Sequence, residues 1–136
     1  MFANIVNGIN DALYSYVLII VLLLGGLYGV AHGLAMAVLL PKVMRAYGPS
    51  AHHRLAQLAD VCGIGGATEA EKANGFIRWM EQTNVAMGLP DGFDMIRHED
   101  VEQMVTWAKK EANPLYPVPV IWGAEEFRNF IESVRK

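Results

Sequence analysis

The sequence of 136 residues is poor in cysteine and has no excess of positive charge. A single cysteine, Cys62, leaves no internal disulfide and no cysteine-rich zinc site. The net charge of −3 argues against the basic stripe of nucleic-acid-binding proteins, so we expect no nucleic-acid partner. Hydrophobic residues make up 53% and charged residues 18% of the chain, and this balance excludes global disorder.

Charged side chains are nearly absent from the first 41 residues. Every Lys and Arg lies at or after Lys42, and Asp11 is the only acidic residue before it. The uncharged run 12–41 is longer than the roughly 20 residues that span a bilayer. It contains tyrosines where interfacial aromatics are found in membrane helices, at Tyr14, Tyr16 and Tyr28. We therefore keep two interpretations, a membrane contact through residues 12–41 or an apolar helix that packs as core.

The rest of the sequence predicts an all-α fold. No segment sustains an alternation of apolar and polar residues, so no strand is expected. An N-terminal apolar helix runs from about Ile5 to Tyr28, or continues toward Pro41. A bundle of four to five amphipathic helices follows it. Two of these helices have the clearest inward faces, with Val101, Met104, Val105 and Ala108 on one, and Phe127, Phe130, Ile131 and Val134 on the other.

Local signals refine this prediction. Thr68 and Glu71 have the spacing of a capping box, in which a hydroxyl and a carboxylate bind the free amides of a helix start. Pro41 lies inside a helical run and is expected to kink it or end its first half. Cys62 closes an apolar helix face and is expected in the core. Three tryptophans are expected in the core or in the packing between helices, at Trp79, Trp107 and Trp122.

One histidine stands out chemically. His32 follows Gly29 and precedes Gly33 within the uncharged run, and an imidazole there must be paired, metal-bound or at a surface. The other histidines are expected to be exposed polar residues, at His52, His53 and His98. Neither a Ser-His-Asp arrangement nor a phosphate-binding glycine loop in the right context is found, so no catalytic or cofactor-binding residue is assigned.

The segment 29–41 reads Gly-Val-Ala-His-Gly-Leu-Ala-Met-Ala-Val-Leu-Leu-Pro. It resembles the His-Gly signature of the iron-containing (group III) alcohol dehydrogenases. The likeness continues through Gly88-Leu-Pro90 and Ala112-Asn-Pro-Leu-Tyr-Pro-Val-Pro119. It implies that Gly29–Lys136 forms the helical C-terminal domain of that family, with His32 as a ligand to iron or zinc. The family transfers a hydride between an alcohol and NAD(P).

In that family an aspartate and two further histidines bind the metal, and all three precede the signature. The NAD(P)-binding domain precedes it too. Here only Met1–Tyr28 precedes it, without a histidine. The resemblance therefore implies a dehydrogenase fragment that lacks three of four metal ligands and is inactive alone.

Met1–Tyr28 itself resembles the N-terminus of bacterial sodium:alanine symporters. This second resemblance implies a chimera, with a symporter-like helix over 1–28 and a partial dehydrogenase domain over 29–136, whether natural, engineered or an artefact. Two bacterial locations are then expected. The chain lies in the inner membrane with its C-terminal part in the cytoplasm, or it is cytoplasmic if the first helix packs as core. The alternative function is a membrane-anchored helical binding or structural module without catalysis. A homo-oligomer that shares one metal ion through His32 is a further hypothesis.

Overall fold

The structure, a computed structural model, describes residues 16–112 and 118–136. Within these residues the chain forms six α-helices and one 3₁₀ turn, and apart from an isolated bridge between Phe93 and Arg135 it shows no strand pairing. The helices are α1 (Leu18–Tyr28), α2 (His32–Tyr47), α3 (Pro49–Val61), α4 (Glu69–Ala86), α5 (Val101–Ala112) and α6 (Ala124–Val134), with the 3₁₀ turn at His98–Asp100 before α5. The predicted all-α class is confirmed, and five helices follow the apolar one.

The apolar helix α1 packs against α2 and α5. It ends at Tyr28 because Gly29 turns into the left-handed region, with φ of 66°, and its N–H donates to the Gly25 carbonyl. The interpretation in which the first helix continues toward Pro41 is therefore wrong, since residues 29–31 separate α1 from α2. The predicted helical stretch before Tyr16 lies outside the described residues. In the described part of the chain, no helix has both the length and the apolarity to cross a membrane.

Helix α2 runs from His32 to Tyr47 with Pro41 inside it, so of the two predicted effects of Pro41, the ending of the helix is wrong. Proline has no N–H, so the Ala37 carbonyl four residues earlier loses its helical partner. The Asn84 side chain of α4 donates to that carbonyl at 2.7 Å. This bond from a neighbouring helix satisfies the carbonyl that the proline leaves open.

Helices α3 and α4 pack against each other along much of their length. Thr68 caps α4, because its hydroxyl oxygen accepts from the Glu71 N–H at 3.1 Å. The Glu71 carboxylate accepts from the Ala67 N–H at 2.8 Å rather than from the cap residue itself. The predicted cap is thus confirmed, with the reciprocal bond shifted by one residue.

The core is one continuous cluster to which every helix contributes. All eight apolar positions predicted for α5 and α6 are buried. At its centre the Tyr16 ring stacks on Trp122 at 4.5 Å and meets Phe127 edge-on at 5.0 Å. Trp122 is the one predicted core tryptophan that is buried.

Cys62 and two of the three tryptophans lie at the surface rather than in the core. Trp79 is 48% and Trp107 40% exposed, and Cys62, which follows the end of α3, is exposed as well. The helical period placed them near an apolar stripe, but a stripe is buried only where a neighbouring helix lies over it.

Candidate functional site

His32, the predicted metal ligand, is the first residue of α2. Its side chain is exposed, and within the described residues its ring has no hydrogen bond or ion pair. Of the three environments that its sequence context allows, the structure places it at a surface. No structural contact with the described residues therefore occupies its imidazole nitrogens.

A polar contact just before the Gly29 turn holds the end of α1. The Tyr28 hydroxyl donates to the Asp100 carboxylate at 2.5 Å, and the Arg97 guanidinium donates to the same carboxylate at 2.9 Å. This group ties the end of α1 to the 3₁₀ turn before α5. It therefore fixes one side of the short connection from which His32 emerges.

The electrostatics of this group are consistent with its geometry. The hydrogen bond from Tyr28, followed by that from Arg97, holds the pKa of Asp100 below its usual value. Burial, followed by the bond to Asp100, raises the pKa of Tyr28. Asp100 is therefore a carboxylate and Tyr28 a neutral donor at neutral pH. The sequence interpretation of Tyr28 as an interfacial aromatic missed this bond, because its partner lies 72 residues away along the chain.

The remaining histidines do not join His32. His53 Nδ1 lies 2.8 Å from the Glu69 carboxylate, and His98 Nδ1 lies 3.0 Å from the Glu132 carboxylate. Across the described ranges, no three His, Cys, Asp or Glu residues come close enough together to hold a metal ion. A catalytic metal needs about three protein ligands and an open position. The described residues thus do not fit a complete metal centre, and His32 could contribute a single ligand to one.

These observations define an all-α domain with a solvent-facing histidine at a helix start. The family model for the C-terminal region of the Fe-containing alcohol dehydrogenases matches residues 3–129. The chain therefore belongs to the Fe-containing alcohol dehydrogenase family, through its C-terminal domain. Since the match begins at residue 3, the family likeness also covers most of the segment 1–28, where it was not expected. The symporter resemblance and the chimera that it implied receive no support.

The fold agrees with this assignment. A solved structure described as a crystal structure analysis of 1,3-propanediol oxidoreductase matches with a TM-score of 0.78 and 27% sequence identity. The match covers 88% of this chain and 32% of that chain, so the protein spans about a third of the length of this relative. A search among curated proteins found no match. Family membership implies the use of a metal and NAD(P), while the described residues bring one candidate ligand to the surface.

Proposed function

We propose that this chain acts as the helical, metal-binding C-terminal domain of an NAD(P)-dependent alcohol or aldehyde oxidoreductase, with His32 as a ligand to iron or zinc. The family match over residues 3–129 carries this proposal. It is supported by the position of His32 at the exposed start of α2, where its imidazole has no competing partner among the described residues.

In this role the domain supplies one imidazole and a rigid support for it. A metal bound there would polarise the alcohol oxygen for hydride transfer. One imidazole cannot retain a catalytic metal, so the other ligands and the NAD(P) site must come from residues outside the described helices, in the same or another polypeptide. We therefore propose that the 136-residue chain by itself is inactive.

The test combines metal binding with activity. Titration with Co²⁺ should perturb the His32 ring resonances, and the effect should vanish in His32→Ala but persist in His52→Ala, a matched control on α3. The purified chain should retain no iron or zinc after desalting and should not oxidise NADH with short aldehydes. Tight stoichiometric metal or robust turnover would contradict the incomplete site, and Co²⁺ effects confined to other histidines would refute the role of His32.

Self-association is a second proposal, supported by apolar side chains that remain at the surface. Val85 is 75%, Met87 67% and Leu22 56% exposed. Large apolar side chains left at the surface are candidates for association. We propose that these faces bind another copy of the chain. Light scattering after size-exclusion chromatography should show an oligomer without detergent. A stable monomer would contradict it, and a particle that requires detergent would favour the membrane-anchored alternative.

A further inference from the structure

An apolar pocket lies between α2, α3 and α4, away from the signature histidine. Its walls are Leu40 and Met44 of α2, Leu55 and Leu58 of α3, and Phe76 and Met80 of α4. Its volume is about 180 Å³. For comparison, an engineered protein cavity of about 150 Å³ lined by Leu, Ile and Phe stays dry and binds benzene. The pocket is therefore large enough for one aromatic ring.

A cation lies at the rim of this pocket. Arg54 of α3 lines it and is exposed, as is the neighbouring Ser50. The Arg54 guanidinium donates to the Gln57 side-chain oxygen at 3.2 Å. Within the described residues no carboxylate forms an ion pair with it. The guanidinium thus keeps most of its donors available next to an apolar surface.

Most of the other arginines differ in this respect, although Arg78 also lacks an ion pair among the described residues. Four of them form ion pairs with a glutamate or aspartate, namely Arg45, Arg97, Arg128 and Arg135. Guanidinium groups bind carboxylates with paired, charge-assisted hydrogen bonds. Among the described residues Arg54 has no such partner, and an apolar pocket opens beside it. The ligand that complements this site is therefore a small apolar molecule that carries one negatively charged group.

We propose that the pocket binds a small aromatic carboxylate, with its ring between α2, α3 and α4 and its carboxylate on the Arg54 guanidinium. The size of the pocket selects one ring, and the unpaired guanidinium selects an anion over a neutral analogue. This binding uses neither His32 nor a metal. If no ligand binds in this pocket, the proposed dehydrogenase role of His32 is unaffected. If His32 binds no metal, the proposed pocket binding is likewise unaffected.

Methionine methyl groups provide the readout, because Met44 and Met80 line the pocket. The full chain, labelled with ¹³C at the methionine methyls, is titrated with phenylacetate and, separately, with the neutral analogue phenylacetamide. We expect both probes to shift the Met44 and Met80 signals and to leave the exposed Met87 unchanged. Phenylacetate should bind about 1.4- to fivefold more tightly, the range expected of an exposed ion pair.

Two substitutions separate the charge from the cavity. Arg54→Gln should lower the affinity for phenylacetate to that for phenylacetamide, while Arg78→Gln on α4, a matched change outside the pocket, should leave both affinities unchanged. Ala51→Leu fills the pocket from its wall and should abolish binding of both probes. If circular dichroism shows that Ala51→Leu does not fold, Arg54→Gln still tests the proposal. The Arg54 side chain is exposed, so its replacement should leave the fold intact.

Three results would overturn the proposal. The first is the absence of any shift at Met44 and Met80 up to the solubility limit of phenylacetate. The second is equal affinity for the two probes with no effect of Arg54→Gln, which would remove the anion selectivity. The third is a shift at Met87 as large as those at the pocket, which would indicate non-specific adsorption.

Discussion

Removing the hydroxyl group of Tyr16 should destabilise the whole domain. This side chain is 2% exposed. Its hydroxyl donates to the Val120 carbonyl at 2.9 Å and accepts from the Trp122 N–H at 2.8 Å. It thereby joins the segment before α1 to the segment before α6. Tyr16→Phe deletes one oxygen atom and keeps the ring contacts in the aromatic centre of the core.

The magnitude follows from the two backbone groups that lose their partner. A buried donor or acceptor left without a hydrogen bond costs about 1–3 kcal/mol. The full penalty applies to the Trp122 N–H, because Trp122 is 7% exposed and the bond is buried. Val120 is half-buried, so water can replace part of its lost bond. We expect the free energy of unfolding to fall by about 2 kcal/mol in total.

Urea denaturation followed by tryptophan fluorescence and by circular dichroism measures this change. The urea midpoint should fall with an unchanged slope, since the variant buries the same surface. For a domain of this size, about 2 kcal/mol corresponds to a decrease in Tm of about 6–10 °C. A loss below about 0.5 kcal/mol would refute the reasoning, because typical surface substitutions have effects of that size.

Three further predictions concern the Tyr28–Gly29 corner and the core. The folded-state pKa of Asp100 lies below its usual value, so its stabilising effect is present above the unfolded-state pKa and is lost as pH falls through the folded-state value. Tyr28→Phe should therefore weaken the acid dependence of stability, measured by urea unfolding at several pH values, and an unchanged profile would contradict it. Gly29→Ala should cost about 1–2 kcal/mol because of its positive φ. Gly26→Ala, inside α1 with free space around its Cα, is the matched control and should stabilise by about 0.5–1 kcal/mol; equal effects would show that φ is not decisive. Phe127→Ala, at a fully buried position, should cost about 3–5 kcal/mol by thermal unfolding, and a loss below 2 kcal/mol would mean that the core closes around the gap.

The parts of the fold that the sequence predicts are those determined by local spacing. The apolar stripes of α5 and α6 recur every three to four residues, and all of their members are buried. The Thr68 cap depends on residues three positions apart and is likewise present. In both cases the physical cause operates within two turns of helix, so neighbouring residues suffice to reveal it.

The contacts that the sequence analysis did not find are those with a distant partner. The hydroxyl groups of Tyr16 and Tyr28, which the sequence suggested as interfacial aromatics, bind residues 104 and 72 positions away. Pro41 remains inside α2, and Asn84, on another helix, donates to the carbonyl that the proline leaves without a partner. Spacing along the chain carries no information about such pairs.

The candidate site shows how the same turn serves both fold and chemistry. In an unbroken helix, residues four positions apart share a face, so Tyr28 and His32 would point the same way. Tyr28 faces Asp100 and is half-buried, and His32 would then be directed toward that contact as well. The left-handed turn at Gly29 changes the direction of the chain between them. Tyr28 can therefore hold α1 against the domain while the His32 imidazole faces solvent, as the proposed metal ligand would have to. A substitution that straightens this corner should affect both stability and the accessibility of His32, whereas the sequence signature alone identifies only the histidine.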